Sequence, residues 1–222
     1  MNDCAVLFDL DGTLLDTLGD LTDSVNYILG KYGYPLRTMS EVRGFLGYGA
    51  GHLIKCALPD GIEQRQVDAY TEEYKGYYKA HSQIKTGPYD GIVWLLRELK
   101  GRGIATAVVS NKPDPATKAL CKEYFGELID LALGELPEIE KKPSAAPLHY
   151  AMEALGCNKA VFVGDAETDV LAAKNADMPC VSVTWGFRDK DVLEECGACI
   201  FADDAATLAE KLLSLLGVNG EN

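Results

Sequence analysis

Two carboxylates lie two residues apart near the start of the chain. An apolar segment at residues 5–8 runs directly into Asp9 and Asp11, which are followed by Gly12 and Thr13. We predict a buried strand here, and in open α/β sheets ligands bind beyond the carboxyl ends of the strands. Because strand residues alternate between faces, the two aspartates are expected to start on one face, where like charges repel and raise at least one pKa. A bound cation would relieve that repulsion.

Three more polar clusters follow predicted strands or their connections. They are Ser110-Asn111-Lys112, Lys141-Lys142-Pro143 and the acidic segment 164–169, which contains Asp165 and Asp169. Each cluster alone is weak evidence, because loop carboxylates are usually solvated and Ser-Asn pairs are common in turns. Their joint occurrence, in this order, indicates one shared site.

The chemistry that suits these clusters is phosphoryl transfer. A carboxylate that attacks an anionic phosphate needs a hard divalent cation, and Mg²⁺ prefers a few carboxylates, a carbonyl and water. Asp9 and Asp165 can supply the carboxylates, which leaves Asp11 free to act as acid and base. The groups expected to hold phosphate oxygens are the Ser110 hydroxyl, backbone N–H groups near Gly12 and Asn111, and a lysine.

Alternating strands and helices are predicted to position these clusters. Strands are expected at residues 104–109, 160–163, 179–183 and about 199–201. Helices are expected at 91–102 with Asp90 as the cap, from Pro115 to about 125, at 144–155, at 168–176 and at 205–216. Such alternation predicts a Rossmann-like α/β core, with a parallel sheet between two layers of helices.

A helical insertion is predicted after the first strand. No strand is expected between about residues 16 and 82, where helices are predicted at 19–31, 40–46, 49–58 and 62–80. We therefore predict two domains, a core formed by residues 1–16 and 83–222 and an all-helical cap formed by residues 17–82. The return linker, residues 83–91, contains Gly87, Pro88 and Gly91, which suit a hinge.

Composition restricts the partners. The chain has 222 residues and a formal net charge of −13, which argues against nucleic-acid backbones and anionic membranes as partners. No apolar run approaches the ~20 residues of a membrane span, and the first residues lack the basic start of a signal peptide. Seven cysteines, an odd number, predict reduced thiols and a cytoplasmic protein. Cys196 and Cys199 have the spacing of a redox motif but lack its usual context.

The chain resembles the haloacid dehalogenase-like hydrolase superfamily, in the branch with a helical cap after the first strand. Residues 9–17 are similar to the family's first motif, residues 110–113 to its second and residues 164–169 to its fourth. Residues 172–176 and 183–187 continue as in phosphoglycolate phosphatase-like members. In the cap, Val42-Arg43 and residues 47–50 are also similar to that subgroup.

The resemblance implies a role for each residue of the site. Asp9 is the nucleophile that forms an aspartyl-phosphate. Asp11 protonates the leaving alkoxide and then activates water, while its backbone carbonyl binds Mg²⁺. Asp165 is a further Mg²⁺ ligand, and Asp169 orients the metal by contacting its direct ligands or through a water molecule. The residues expected to bind phosphate or substrate are Gly12, Thr13, Arg43, Gly47, Tyr48, Gly49, Ser110, Asn111 and Lys142, of which Ser110 and Lys142 are also catalytic.

Several positions leave alternatives open. The choice of Lys142 over Lys141 depends on its adjacency to Pro143. Arg43 could bind a substrate carboxylate or pair with an acidic residue of the cap. Gly47 and Gly49 could form a substrate-specificity loop or simply separate two helices. Asp177 stands where relatives often have a helix-ending glycine, and aspartate tolerates the left-handed conformation.

The predicted function is that of a Mg²⁺-dependent phosphatase acting on a small phosphorylated metabolite, with 2-phosphoglycolate as the best candidate. Other enzymes of the superfamily remain alternatives, namely a sugar-phosphate mutase or other phosphotransferase, or a pyrophosphatase. A non-catalytic regulator on the same fold is a third possibility, because fold does not determine function. The protein is expected to be a monomer or a homodimer.

Overall fold

A computed structural model describes residues 3–218 of the chain. The strands are β1 (Cys4–Phe8), β2 (Leu15–Asp16), β3 (Gly87–Pro88), β4 (Ala105–Pro113), β5 (Leu131–Glu135), β6 (Lys159–Gly164), β7 (Cys180–Val183) and β8 (Phe201–Ala202). The α-helices are α1 (Leu18–Lys31), α2 (Met39–Phe45), α3 (Ala50–Ala57), α4 (Gln64–His81), α5 (Ile92–Gly101), α6 (Asp114–Tyr124), α7 (Ala146–Leu155), α8 (Glu167–Asn175), α9 (Lys190–Glu195) and α10 (Ala205–Leu216).

Six parallel strands form the main sheet, in the order β5-β4-β1-β6-β7-β8. Phe8, the last residue of β1, is in register with Val108 of β4 and Val163 of β6. The chain first builds the sheet outward from β1 through β4 and β5, and then returns to the other side of β1 with β6. The carboxyl ends of β1, β4 and β6 therefore lie side by side at a topological switch point, where α/β sheets bind ligands.

The two faces of β1 contact different helical layers. Val6 and Phe8 belong to an apolar cluster that includes Leu95 of α5 and Leu208 of α10. Leu7 points to the opposite side and belongs to a cluster with helices α7 and α8. This alternation follows from the two-residue period of a strand, and it confirms the predicted α/β core with helices on both faces.

Helices α1–α4 pack around an apolar cluster of their own, which includes Val25, Ile54 and Tyr74. The chain leaves the core at β2 and returns at β3, and these two short strands pair in antiparallel orientation. The carboxylate of Asp20 in α1 also accepts hydrogen bonds from the backbone N–H groups of residues 84–86. The exact division at residues 17 and 82 stays a prediction.

The main differences from the expected elements lie at short segments. Strand β5 was not predicted because its sequence, Leu-Ala-Leu-Gly-Glu, contains residue types that are depleted in strands. Helix α9 was not predicted because six residues are too few to show a helical period. Asp90 is not the helix cap; Gly91, in the left-handed conformation with φ 78°, precedes α5 instead. Helix α10 has the predicted bounds.

The expectation for Asp177 is confirmed by its backbone angle. Its φ is 52°, and among residues 3–218 it is the only residue other than glycine with a positive φ. All seven cysteines are free, including Cys196 and Cys199. Within the described part of the chain, no helix combines the length and apolar character needed to cross a bilayer.

Candidate active site

A cavity of about 400 Å³ lies between helices α1–α4 and the carboxyl edge of the main sheet. This volume is at the small end of ligand pockets, so it suits a small molecule. On the sheet side it is lined by Asp9, Asp11, Ser110, Asn111, Lys112 and Asp165. From the helical side the lining residues include Leu46, Gly47, Gly49, Tyr74 and Tyr78. The remaining predicted site residues, Gly12, Thr13, Arg43, Tyr48, Lys142 and Asp169, lie outside the lining.

Asp9 and Lys142 form a buried ion pair beneath the cavity. The Lys142 Nζ atom lies 3.0 Å from Oδ1 of Asp9 and 2.7 Å from Oδ1 of Asp169. Burial lowers the pKa of the Lys142 ammonium, but the carboxylates of Asp169 and Asp9 outweigh it and hold that pKa above its ordinary value. Lys141 contacts none of these carboxylates, since its side chain is 42% exposed and its Nζ atom lies near Glu135 and donates to the Tyr48 carbonyl. The geometry therefore favours Lys142 as the lysine of the site.

Asp165 is held from two directions. The Thr13 hydroxyl donates to its Oδ1 over 2.6 Å, and the Phe187 backbone N–H donates to its Oδ2 over 2.8 Å. Gly12 approaches the same carboxylate so closely that a Cβ atom there would lie 2.3 Å from Oδ2. In this structure Thr13 binds the aspartate through its hydroxyl, and Gly12 leaves room for it. These roles differ from the direct phosphate contact expected of the two residues.

The carboxylates of Asp9, Asp165 and Asp169 fit a hard divalent cation. All three residues are buried, and one oxygen from each lies within 4.8 Å of the others. Asp169 is already engaged, because its oxygens accept from Lys142 and from the backbone N–H groups of Asp165 and Ala166. Among residues 3–218, Lys142 is the one ammonium paired with any of these three carboxylates. A net negative charge therefore remains, and a cation held by Asp9 and Asp165 would balance it.

Burial and mutual repulsion shift the pKa values of these carboxyls. Burial raises the pKa of Asp9 to about 6, with Asp169 and Asp11 adding to the rise and Lys142 opposing it. Burial also raises the pKa of Asp165 well above its ordinary value, and the charges of Asp169 and Asp9 raise it further. A cation bound by these groups would stabilise their ionised forms.

Asp11 has a partner that the sequence reasoning did not assign. Lys112 Nζ lies 2.8 Å and 2.9 Å from the two carboxylate oxygens of Asp11, and its side chain is buried. Strand β1 ends at Phe8, and the chain then turns so that the Leu14 and Leu15 N–H groups donate to the Leu10 carbonyl. The two-residue alternation does not extend through this turn, so Asp9 and Asp11 have different lysine partners.

Ser110 and Asn111 lie within the last four residues of β4, which extends to Pro113 and not only to the predicted residue 109, and they line the same cavity as Asp9. Ser110 lines the cavity, and its Oγ atom accepts a hydrogen bond from the Lys112 N–H over 3.3 Å. Asn111 is occupied structurally: its amide donates to the Gly47 and Lys142 carbonyls, and its oxygen accepts from the Lys142 N–H. Its side chain therefore has a structural role here, and the phosphate contact expected of its backbone N–H stays a prediction.

The cap segment at residues 43–48 is held by core side chains through its backbone carbonyls. Arg188 donates to the carbonyls of Arg43 and Leu46, and Asn111 and Lys141 donate to those of Gly47 and Tyr48. The negative end of the α2 dipole thus faces cationic groups of the core.

Arg43 differs from both expectations for it. Its guanidinium lies 2.9 Å from Asp189 and 3.3 Å from the Gly186 carbonyl, both in the loop that leads into α9. Arg43 therefore contacts the core, and it neither lines the cavity nor pairs with an acid of the cap.

Phe187 connects the carboxylate site to the helical cap. Its backbone N–H binds Asp165, while its side chain belongs to the apolar cluster of helices α1–α4. Burying a phenylalanine ring stabilises a fold by about 2 kcal/mol. Sequence reasoning missed this role because the ring contributes to a cluster built by residues more than a hundred positions away.

Comparison with known proteins agrees with this geometry. Residues 6–183 match the family model described as haloacid dehalogenase-like hydrolase. Phosphoglycolate phosphatase 1 of Pseudomonas aeruginosa is 34% identical over 211 residues, covering 91% of this chain and 77% of its own length. Phosphoglycolate phosphatase of Neisseria meningitidis is 36% identical over 199 residues, covering 86% and 84%. A crystal structure from Lactobacillus delbrueckii, of a candidate phosphoglycolate phosphatase, has a TM-score of 0.88 at 34% identity and covers 96% of this chain and 99% of that chain.

Proposed function

The chain belongs to the haloacid dehalogenase-like hydrolase family as a phosphoric monoester hydrolase, and we propose that it hydrolyses 2-phosphoglycolate with Mg²⁺ as its metal. The observation that carries this proposal is the position of Asp9, which lies beside Lys142 and Asp165 at the edge of a small cavity. The names of the relatives support the substrate. The small cavity supports a metabolite of a few atoms.

In the proposed mechanism, an Asp9 oxygen attacks phosphorus and the bond from phosphorus to the leaving oxygen breaks. Asp11 gives its proton to that oxygen, which leaves as an alcohol. Asp11 then takes a proton from water as the water attacks the aspartyl-phosphate, so that inorganic phosphate leaves and the Asp9 carboxylate is restored. Mg²⁺, when bound by Asp9, Asp165 and the Asp11 carbonyl, supplies charge neutralisation for an anionic nucleophile and an anionic substrate.

The other groups bind and position the phosphoryl group. The Ser110 hydroxyl and nearby backbone N–H groups are proposed to donate to its oxygens, where charge changes during the transfer. Lys142 is proposed to balance the charge of Asp9 and the phosphate together, while Asp169 keeps the ammonium in place. Helices α1–α4 cover the cavity and limit the access of water.

A substrate panel tests the proposal. We expect kcat/KM for 2-phosphoglycolate to exceed that for sugar phosphates, nucleotides and pyrophosphate by at least about tenfold, since differences in small-molecule fit reach this size. Turnover should require added Mg²⁺ and stop in EDTA. Preference for another phosphomonoester would reject the substrate, whereas no Mg²⁺-dependent release of phosphate from any compound would reject the proposed activity.

Mg²⁺ should also stabilise the fold, by an amount that depends on pH. The pKa of Asp9 is about 6 in the folded protein against an ordinary 3.8, so between these pH values the folded state holds more protons than the unfolded state. The free energy of unfolding therefore falls as pH rises from about 4 to about 6. Mg²⁺ competes with those protons for the carboxylates. At a Mg²⁺ concentration of a hundred times its Kd, binding adds about 2.7 kcal/mol to the free energy of unfolding, which raises Tm by about 5–10 °C.

Differential scanning fluorimetry at pH 7 and pH 5 measures this effect. The Tm increment from MgCl₂ should be larger at pH 7, where fewer protons compete for Asp9. NaCl at equal ionic strength is the control, and Asp165→Asn should remove most of the increment. An equal increment at both pH values, or one that NaCl reproduces, contradicts the prediction.

A further inference from the structure

Lys112 is a buried cation at the wall of the cavity, and it pairs with Asp11, the proposed general acid and base. Its Nζ atom contacts both oxygens of Asp11, at 2.8 Å and 2.9 Å. The same Nζ atom lies 4.4 Å from the ring centroid of Tyr78, which reaches the cavity from helix α4. The proposed mechanism requires Asp11 to contact the leaving oxygen. If Lys112 loses Asp11 as its partner, its ammonium needs another anion, because an unpaired buried charge is costly.

The other cations at or near the cavity are either paired with other groups or exposed. Arg188 is held by Glu167 at 2.6 Å and by two carbonyls of the cap segment. Lys75 pairs with Glu72 at 2.7 Å, and Lys79 is exposed at the rim. Lys142 is fixed between Asp9 and Asp169. Among the cationic side chains of the described lining, Lys112 is the one that is both buried and paired with a group that must change partners.

A second observation points to a ligand at the same place. Tyr78 is only 4% exposed, and its hydroxyl has no hydrogen-bond partner among the described residues. Burial raises the pKa of Tyr78 well above its ordinary value, with the charge of Asp11 adding to the rise, so the hydroxyl stays a donor. A buried donor without an acceptor is costly, and an acceptor group of a ligand would satisfy it.

We propose that Lys112 determines specificity by binding the carboxylate of the leaving group. This inference rests on the proposed function, in which Asp11 protonates the leaving oxygen. In 2-phosphoglycolate the carboxylate is attached to the carbon that carries that oxygen, so it falls within reach of a side chain that contacts Asp11. The ammonium exchanges one carboxylate for another and stays paired throughout. A protein with a net charge of −13 needs such a local cation to accept an anionic leaving group.

The test compares 2-phosphoglycolate with its neutral amide, which has the same size and the same leaving oxygen. In the Lys112→Met variant, the ratio of kcat/KM for the acid to that for the amide should fall about 10- to 100-fold, with most of the loss in KM for the acid. The matched control is Lys79→Met, an exposed lysine at the rim, whose ratio should stay within about twofold of the wild type. Lys112→Arg, which keeps the charge, should retain most of the preference.

The outcomes separate this inference from the proposed function. An equal loss for acid and amide overturns it, because Lys112 would then act only through Asp11. A wild-type ratio near one also overturns it and leaves the phosphatase activity standing, whereas no turnover of either compound by the wild type rejects both. If Lys112→Met does not fold, product inhibition of the wild type decides: glycolate should inhibit at least about tenfold more strongly than glycolamide, and equal inhibition overturns the inference.

Discussion

Replacing Asp9 by asparagine is expected to lower kcat for 2-phosphoglycolate on the order of 10⁴-fold or more. The amide keeps the shape of the side chain but cannot form the acyl phosphate, so the whole two-step route is lost. Loss of the carboxylate also removes a proposed metal ligand and the partner that lies 3.0 Å from Lys142. Because Asp9 is buried with a raised pKa, its removal should not destabilise the metal-free fold.

Three measurements make this prediction specific to the nucleophile. Rapid-quench mass spectrometry of the wild type should show one phosphoryl group on the peptide that contains Asp9, and the Asp9→Asn variant should show none. Asp16→Asn is the matched control, since Asp16 is an exposed aspartate of the same motif and should keep full turnover. Asp9→Ala excludes slow deamidation as a source of residual activity. Retention of activity within about tenfold in Asp9→Ala contradicts the assignment.

The parts of the site that sequence predicted best are those set by strand ends. Asp9 and Asp165 follow apolar segments that are long enough to be identified as strands, and parallel strands place their carboxyl ends at one edge. The sheet register brings them together through Phe8 and Val163. Lys142 was harder, because it follows no strand, and burial rather than spacing distinguishes it from Lys141.

The contacts that could not be predicted depend on how distant segments pack. Lys112 is 101 residues from Asp11, and nothing in either segment indicates which of several lysines will reach that carboxylate. From the sequence alone, Arg43 fits a substrate-binding role and a surface ion pair equally well. Its actual partner, Asp189, lies in the loop before α9, and only the tertiary fold brings the two together. Such pairings are properties of the tertiary fold, whereas strand ends are visible in local pattern.

The link between the cap and the carboxylates is likewise a tertiary property. Phe187 binds Asp165 through its backbone and packs into the cap through its ring. Arg188, the next residue, donates to two carbonyls of the cap segment. The position of helices α1–α4 over the cavity is therefore coupled to the geometry of the proposed metal site. Dividing the sequence into core and cap residues does not predict this coupling.

Replacing Asp11 by asparagine is expected to lower kcat for 2-phosphoglycolate about 10²- to 10⁴-fold, the usual contribution of a general acid–base. The loss should depend on the leaving group. Glycolate leaves as a basic alkoxide and needs a proton, whereas p-nitrophenolate leaves without one. Attack by water on the aspartyl-phosphate needs the Asp11 base whichever substrate formed it, so the second step should slow for both.

These two steps predict different pre-steady-state behaviour in the Asp11→Asn variant. With p-nitrophenyl phosphate, one equivalent of nitrophenolate per site should appear in a burst, followed by slow turnover. With 2-phosphoglycolate no burst should appear, because the first step is itself slow. Asp9→Asn is the control and should show no burst with either compound, since no covalent intermediate can form. If Asp11→Asn shows no burst with p-nitrophenyl phosphate, Asp11 does not act differently in the two steps as proposed.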